Sequence, residues 1–462
     1  MSRLVRPLML ALFFMFGHTF IFGGLVFLHP VIMEGDVTYD VETFMEDNEE
    51  TTYAYAFDDR GLALDLRLAL IEEAEETVDV SYYTVHDGES RDIFYGALLD
   101  AADRGVQVRL VLDAVFHTQY FESGRRYEAL ISHENVEAAL YEPYNPLLPH
   151  TLQNRLHDKL IIVDETYGMS GGRNIGDRYF MEKDDPADET RDRDVVVFGE
   201  SGTHETVREM SAYYEELFNS RFSWTSSAEE RLALLERRTL MQDAYEAHSE
   251  RRDVPRAYET MREEALEVEH TSFLRNPLTR FEKEPVMLGT FAELAETRDE
   301  WFVQSPYIVF SEQMLELIPD TEQRDVRMLT NAPATNPNPF TTAGYLRYRE
   351  PLAERTTLYE YQGVDSLHAK TMTFGDDISI IGAYNLDPRS TYLSTESAIL
   401  IRDEAFHEHL HDILKDSLDE SLIVGPDGEY VDDGGEALEK SWPWRVLLIM
   451  LYGLTYWFDP LL

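Results

Sequence analysis

Cysteine is absent from this chain. Neither a disulfide nor a thiolate metal site can form, while the redox compartment stays open, since a cysteine-free protein tolerates either. Lysine is nearly absent too, at six residues, so that 34 of the 40 basic side chains are arginine. Positive charge as a whole is scarce: 88 acidic residues face those 40, a formal −48 spread along the whole chain. Such a surface lacks the basic footprint of a nucleic-acid binder, so no nucleic acid partner is expected. It repels itself at low ionic strength and resists salting out. That reads as adaptation to high salt, with an ordinary acidic protein as the plainer alternative.

Charge of either sign is missing from residues 7–33. As a helix, residues 8–28 would run about 30 Å, one hydrocarbon thickness, so an uncleaved transmembrane anchor is expected. The competing reading, a cleaved signal peptide, calls for a shorter apolar run and an A-x-A site. Arg3 and Arg6 precede the run and Glu34, Asp36 and Asp40 follow it, which by the positive-inside rule puts the body on the outer face of the cell membrane. His18 within it reads as a neutral imidazole bonded to a helix carbonyl or a partner. At the other end, WPWRVLLIMLYGLTYWFDPLL is apolar on nearly all sides over residues 446–458. That stretch is only about 20 Å long as a helix, too short to span. Flanked by Trp442, Trp444, Tyr456 and Trp457, it is expected to touch the membrane interface; a buried terminal helix is the alternative.

What the chain does contain is a duplicated pattern. RLHDKLIIVDETYGMSGGRNIGDRYF and SLHAKTMTFGDDISIIGAYNLDPRST each carry His-x-Lys, a glycine at +14 and an asparagine at +17 from the histidine. These are His157, Lys159, Gly171 and Asn174, then His368, Lys370, Gly382 and Asn385. With 14 histidines and six lysines, one chance His-x-Lys has an expectation of roughly 0.2, so two copies agreeing at two further positions are not accidental. Before each motif the chain alternates between helix and strand. Residues 62–75, 91–104 and 123–132 have helical spacing, and 77–85, 106–115 and 136–142 read as strands. The order recurs with helices at 289–296, 312–317 and 341–352 and strands at 301–307, 326–330 and 357–361. At 462 residues and 44% apolar content there is enough chain for two or three domains with full cores. Two similar α/β halves packed about a pseudo-twofold axis would bring both motifs into one site.

The motif residues suit a phosphodiester. An imidazole is a nucleophile and general acid near neutral pH, and a lysine two residues along a strand points to the same face and can hold a phosphoryl oxygen. The asparagine amide supplies a neutral donor to another such oxygen. With two sets, one histidine attacks phosphorus while the other protonates the departing alcohol, and the roles reverse in the second step.

Through these residues, and through the strings GGRNIGDRYF, ALLDAADRGVQVRLVLD, LHAKT and NLDPRS, the chain resembles the phospholipase D superfamily over about residues 62–403, most of all its bacterial cardiolipin synthase branch. The resemblance implies a covalent phosphohistidine intermediate, no metal and no cofactor. It implies His157 as nucleophile and His368 as general acid and base. It also implies a carboxylate downstream of each motif that orients a histidine: Glu396 in STESAILI for His368, and Asp192 in RDRDVVVF for His157, with Asp194 the runner-up. The family's aspartate at +7 is present as Asp164 but replaced by Gly375 in the second copy. This reads as substitution within an intact frame, at a strand end where a structural hydrogen-bonding role is expected.

The expected organisation is thus α/β, with two similar phospholipase D-like domains and an N-terminal transmembrane helix. Residues 1–33 are the anchor, 34–60 an acidic tether, 61–204 the first half, 205–284 a helical connection, 285–435 the second half and 436–462 a C-terminal membrane-interface segment. The expected activity is that of a membrane-bound phosphatidyltransferase making cardiolipin from phosphatidylglycerol, with phosphatidylethanolamine as a possible second lipid. A hydrolytic phospholipase D, a superfamily nuclease and a non-catalytic membrane scaffold are the alternatives.

Overall fold

Strands read from near-continuous apolar runs, alternating with helices, should assemble into sheets covered on both faces. The computed structural model describes residues 2–27, 41–118, 121–200, 202, 204–281, 283–317, 324–431, 437–455, 458 and 461–462. It contains two such sheets, of nine and eight strands among the described residues. In the first, Val136–Tyr141, Gln107–Asp113 and Thr77–Tyr82 are parallel, followed by Lys159–Val163, Tyr167–Gly171, Asp194–Gly199 and Thr52–Phe57 in antiparallel succession. The second repeats this order with Thr357–Tyr361, Asp325–Asn331, Glu300–Gln304, Thr371–Phe374, Ile378–Gly382, Ser397–Arg402 and His270–Arg275. The duplication seen in the motifs therefore extends to seven strands of each sheet.

Each sheet has its own apolar core on one face. A third cluster is common to both: Val195 and Val197 of the first sheet and Phe302, Ile399 and Ile401 of the second pack with helices Glu205–Phe218 and Glu404–Asp419. The two halves are held face to face by a shared core, which fixes the distance between their motifs.

Three expected boundaries need correction. Residues 52–57 are not part of a tether: TYAYAF is a strand of the first sheet, buried along nearly its whole length. Ahead of it, Asn48 N–H donates to the Glu269 carbonyl at 2.9 Å and the Asn48 side chain accepts from Thr271 N–H at 2.6 Å. Residues 34–40 lie outside the described residues. The connection over 205–284 is helical only in part, since Ser223–Ser226 and Leu266–Val268 are edge strands of the first sheet and His270–Arg275 begins the second. Its helix Leu232–Arg251 buries Leu234, Met241 and Tyr245 in the first core.

The third correction concerns the anchor. Among the described residues no helix is long and apolar enough to cross a membrane. Helix Ser2–Gly23 stops at a Gly23–Gly24 pair, where glycine lowers helix propensity, and the chain then enters the protein. The Gly23 carbonyl accepts from Gln153 Nε2 at 2.6 Å, and Phe27 is buried in the second core, stacked on Phe281 with ring centres 5.5 Å apart. His18 Nε2 meets the Leu147 carbonyl at 3.3 Å, a partner of the kind expected. Residues 28–33 lie outside the described residues. At the other end, helix Trp442–Thr455 packs Leu448 and Leu451 on Ala343 of helix Pro339–Ala353 but leaves Ile449 and Met450 exposed. Tyr456 and Trp457 lie outside the described residues.

Candidate active site

Each motif histidine follows a two-residue strand that pairs outside its own sheet. Arg155–Leu156 runs parallel to Ser394–Thr395 of the second half, and Ser366–Leu367 runs parallel to Thr190–Arg191 of the first. The exchange is reciprocal, and it decides which carboxylate each histidine meets. His157 Nδ1 lies 2.9 Å from Glu396 Oε2, and His368 Nδ1 lies 2.6 Å from Asp192 Oδ2. The expected carboxylates are thus the ones used, with their owners exchanged: Glu396 orients His157 and Asp192 orients His368. The crossing strands also hold the histidine backbones, with His157 N–H on Thr395 Oγ1 at 3.0 Å and His368 N–H on the Arg191 carbonyl at 2.7 Å. Asp194, the runner-up, instead takes the buried guanidinium groups of Arg67 and Arg173 at 2.9 and 2.8 Å.

The spacing within each motif has physical reasons. Lys159 and Lys370, one residue past each histidine's neighbour, return to the same face. Lys159 Nζ donates to the His157 carbonyl at 2.6 Å, and Lys370 Nζ donates to the His368 carbonyl and sits 2.8 Å from His368 Nδ1. The +14 glycines are sites of close strand approach: a Cβ on Gly171 would strike Arg193 and Asp194, and one on Gly382 would strike Ser397 and Ala398. Asn174 and Asn385 follow them into the cleft, each with a buried side-chain oxygen lacking a partner. The +7 difference is conformational. Asp164 and Gly375 both occupy left-handed turns, at φ 51° and 65°, a region glycine enters at least cost. Asp164 additionally accepts from the N–H groups of Glu75, Glu76 and Thr77 at 2.6–2.9 Å, the structural role expected of it.

The two histidines, both asparagines and parts of both halves line one cavity of about 580 Å³. Behind the two histidines lie the buried lysines of the motifs. Burial, reinforced by Lys370, pushes the Lys159 ammonium down to about 7, and burial pushes Lys370 down to about 8 against the opposing pull of Asp192 and Glu396. Burial and the two lysines hold His157 well below the ordinary imidazole value, and burial with Lys370 takes His368 down to about 4. The carboxylates diverge. Burial raises Glu396 well above the usual range, whereas at Asp192 the charges of His368 and Lys370 outweigh burial and hold it low. Asp192 and Glu396 offset the two buried lysines only in part, and a phosphodiester beside them would favour their charged forms.

Some site residues carried no signal in the motif. Tyr83 meets the His157 ring edge-on at 4.9 Å, and Tyr179 meets His368 at 5.6 Å. Lys283 is buried and donates to the Ser394 carbonyl at 2.9 Å, bracing the crossing segment that carries Glu396. Its only hint was the scarcity of lysine: three of the six lie at this site. Among the described residues no group of His, Asp and Glu is placed to hold a metal ion.

The family profile described as "Cardiolipin synthase, PLD-like domain" matches residues 68–219 and 291–418, more than half of the chain. Cardiolipin synthase C of Escherichia coli (strain K12) is 28% identical over 73% of this chain and 79% of its own length. Cardiolipin synthase A of Edwardsiella ictaluri (strain 93-146) is 23% identical over 77% of this chain and 67% of its own length. The crystal structure of a phosphatidylserine synthase from Haemophilus influenzae Rd KW20 superimposes with a TM-score of 0.62 at 13% identity, covering 90% of this chain and 98% of that one. At that identity the likeness is one of fold.

Proposed function

The chain belongs to the phospholipase D superfamily, in its cardiolipin synthase-like branch, and from that premise we propose that it is a phosphatidyltransferase that makes cardiolipin from phosphatidylglycerol through a phosphohistidine. One observation carries the proposal: two histidines, each oriented by a carboxylate of the opposite half, face a single cavity beside two buried lysines. His157, its Nδ1 proton directed to Glu396, offers a neutral Nε2 lone pair to phosphorus. His368 sits against the anionic Asp192, the better-supported site for an imidazolium once substrate charge offsets Lys370. In the first step the His157 Nε2–P bond forms and the P–O bond to the glycerol headgroup breaks, with the His368 proton passing to the departing oxygen. In the second, the hydroxyl of another phosphatidylglycerol loses its proton to His368 and attacks phosphorus as the P–N bond breaks. Lys159, Lys370, Asn174 and Asn385 hold the non-bridging oxygens as charge develops.

A bilayer is the proposed partner surface. Phe13 and Phe16 are 71% and 72% exposed on the N-terminal helix, and Ile449 is 75% exposed on the C-terminal one. Phe20 meets Phe458 at 6.0 Å, and Phe458 lines the catalytic cavity. These acid-poor segments give a −48 chain one apolar face for a phospholipid surface, beside the cavity mouth.

Detergent-solubilised protein given phosphatidylglycerol, with and without phosphatidylethanolamine, and followed by mass spectrometry tests the activity. Cardiolipin and free glycerol are expected. Phosphatidic acid as the sole lipid product would replace the transferase by a hydrolytic phospholipase D.

A further inference from the structure

Fully buried arginines in this chain are ion-paired. Arg67, Arg155, Arg173 and Arg193 each reach a carboxylate at 2.8–3.0 Å, as burial of a cation demands. Arg389, which lines the catalytic cavity, is different. Its Nη2 donates to Gln153 Oε1 at 2.8 Å and to the Leu461 carbonyl at 3.0 Å. Both acceptors are neutral, and among the described residues the guanidinium has no carboxylate within ion-pair distance. Arg389 is half-buried, and its place in the lining of the cavity puts this cation, held by neutral acceptors alone, where an anionic ligand can reach it.

The duplication sharpens the point. Arg389 stands four residues after Asn385, as Arg178 stands four after Asn174. Arg178 braces the crossing strands, donating to Thr190 Oγ1 at 2.7 Å and to Ser366 Oγ at 3.2 Å. Arg389 has been freed from that task and turned to the cavity. The two halves thus offer the same chemistry at the histidines and different chemistry beside them. A transfer between two lipids needs that asymmetry, because only one of the two phosphodiesters is under attack.

We infer that Arg389 forms a second anion subsite, which holds the phosphodiester of the acceptor lipid while Lys159 and Lys370 hold the reacting one; this rests on the transferase reading. An anionic acceptor must enter a site carried by a body of −48, and a guanidinium fork suits a phosphodiester oxygen pair. No bond is made or broken at Arg389. The neutral contacts to Gln153 and Leu461 are the ones an incoming phosphate would displace.

The test is a competition in one mixture. Full-length protein in detergent receives phosphatidylglycerol as donor with ethanol present, so that transfer to lipid gives cardiolipin and transfer to a phosphate-free alcohol gives phosphatidylethanol. For Arg389→Gln, the cardiolipin to phosphatidylethanol ratio is expected to fall about tenfold or more, the scale of one charge-assisted contact. An unchanged ratio, whatever the total rate, overturns the subsite. If the glutamine variant yields neither product, Arg389→Lys decides: it keeps the charge and loses the fork, so KM for the lipid acceptor should rise several-fold, and an unchanged KM overturns the inference. Wild-type protein that transfers to neither acceptor overturns the transferase reading and the subsite with it.

Discussion

Lys159 and Lys370 are held by burial at about 7 and about 8, against an ordinary lysine value of 10.5, and this makes activity and stability respond oppositely to alkali. The lysines bind phosphate only while charged, so kcat/KM, which reports the free enzyme, should fall as pH rises through about 7 to 8. In the unfolded chain the same groups keep their protons to about 10.5. Between these limits the unfolded state binds more protons, so the lysines' contribution to stability rises with pH. A kcat/KM profile flat to pH 9.5 would contradict the assignment. The histidines, lysines and asparagines of the site were legible from spacing alone, since His-x-Lys is a strand-face relation. Asp192 and Glu396 were legible as residues, but their owners were not. Proximity in the chain suggests that each half serves its own histidine, whereas the crossing depends on two-residue strands that carry no periodicity. Lys283 and Arg389 reach the site only through tertiary packing.

The terminal helices carry the proposed membrane contact. Burying a large apolar side chain in an interface contributes about 1.5–3 kcal/mol, so Ile449→Asp with Met450→Asp should weaken binding to phosphatidylglycerol-containing vesicles by about tenfold or more in a flotation assay. Phe13→Ser with Phe16→Ser should act in the same direction. Flotation unchanged by either pair would remove this face from the account. These helices also mark where hydropathy misleads. An uncharged run from 7 to 33 looks like a span until the Gly23–Gly24 break and the burial of Phe27 are known. The converse error concerns residues 52–57, where flanking acids hid a strand whose backbone pairs on both sides. The long α/β alternation was readable because buried parallel strands and the helices covering them differ in length and period.

At the scale of the molecule, two sheets of like order share a core, and the active site exists only because they do. The −48 charge opposes that compact state, so adding sodium or potassium chloride from low salt through the molar range should raise the thermal midpoint as repulsion is screened. A midpoint that stays flat or falls would show that the acidic surface is not a salt adaptation. The central claim, a phosphatidyl group carried on His157 and passed by proton transfer at His368, has a more direct test. His368→Ala lacks the acid for a poor leaving group, but a phosphatidyl donor with a good leaving group needs little protonation. Given such a donor, this variant should accumulate covalent lipid, and tryptic mapping should place it on His157, with His157→Ala unlabelled. A phosphatidyl group found on His368 in the wild-type protein, with His157→Ala still labelled, would contradict the assignment.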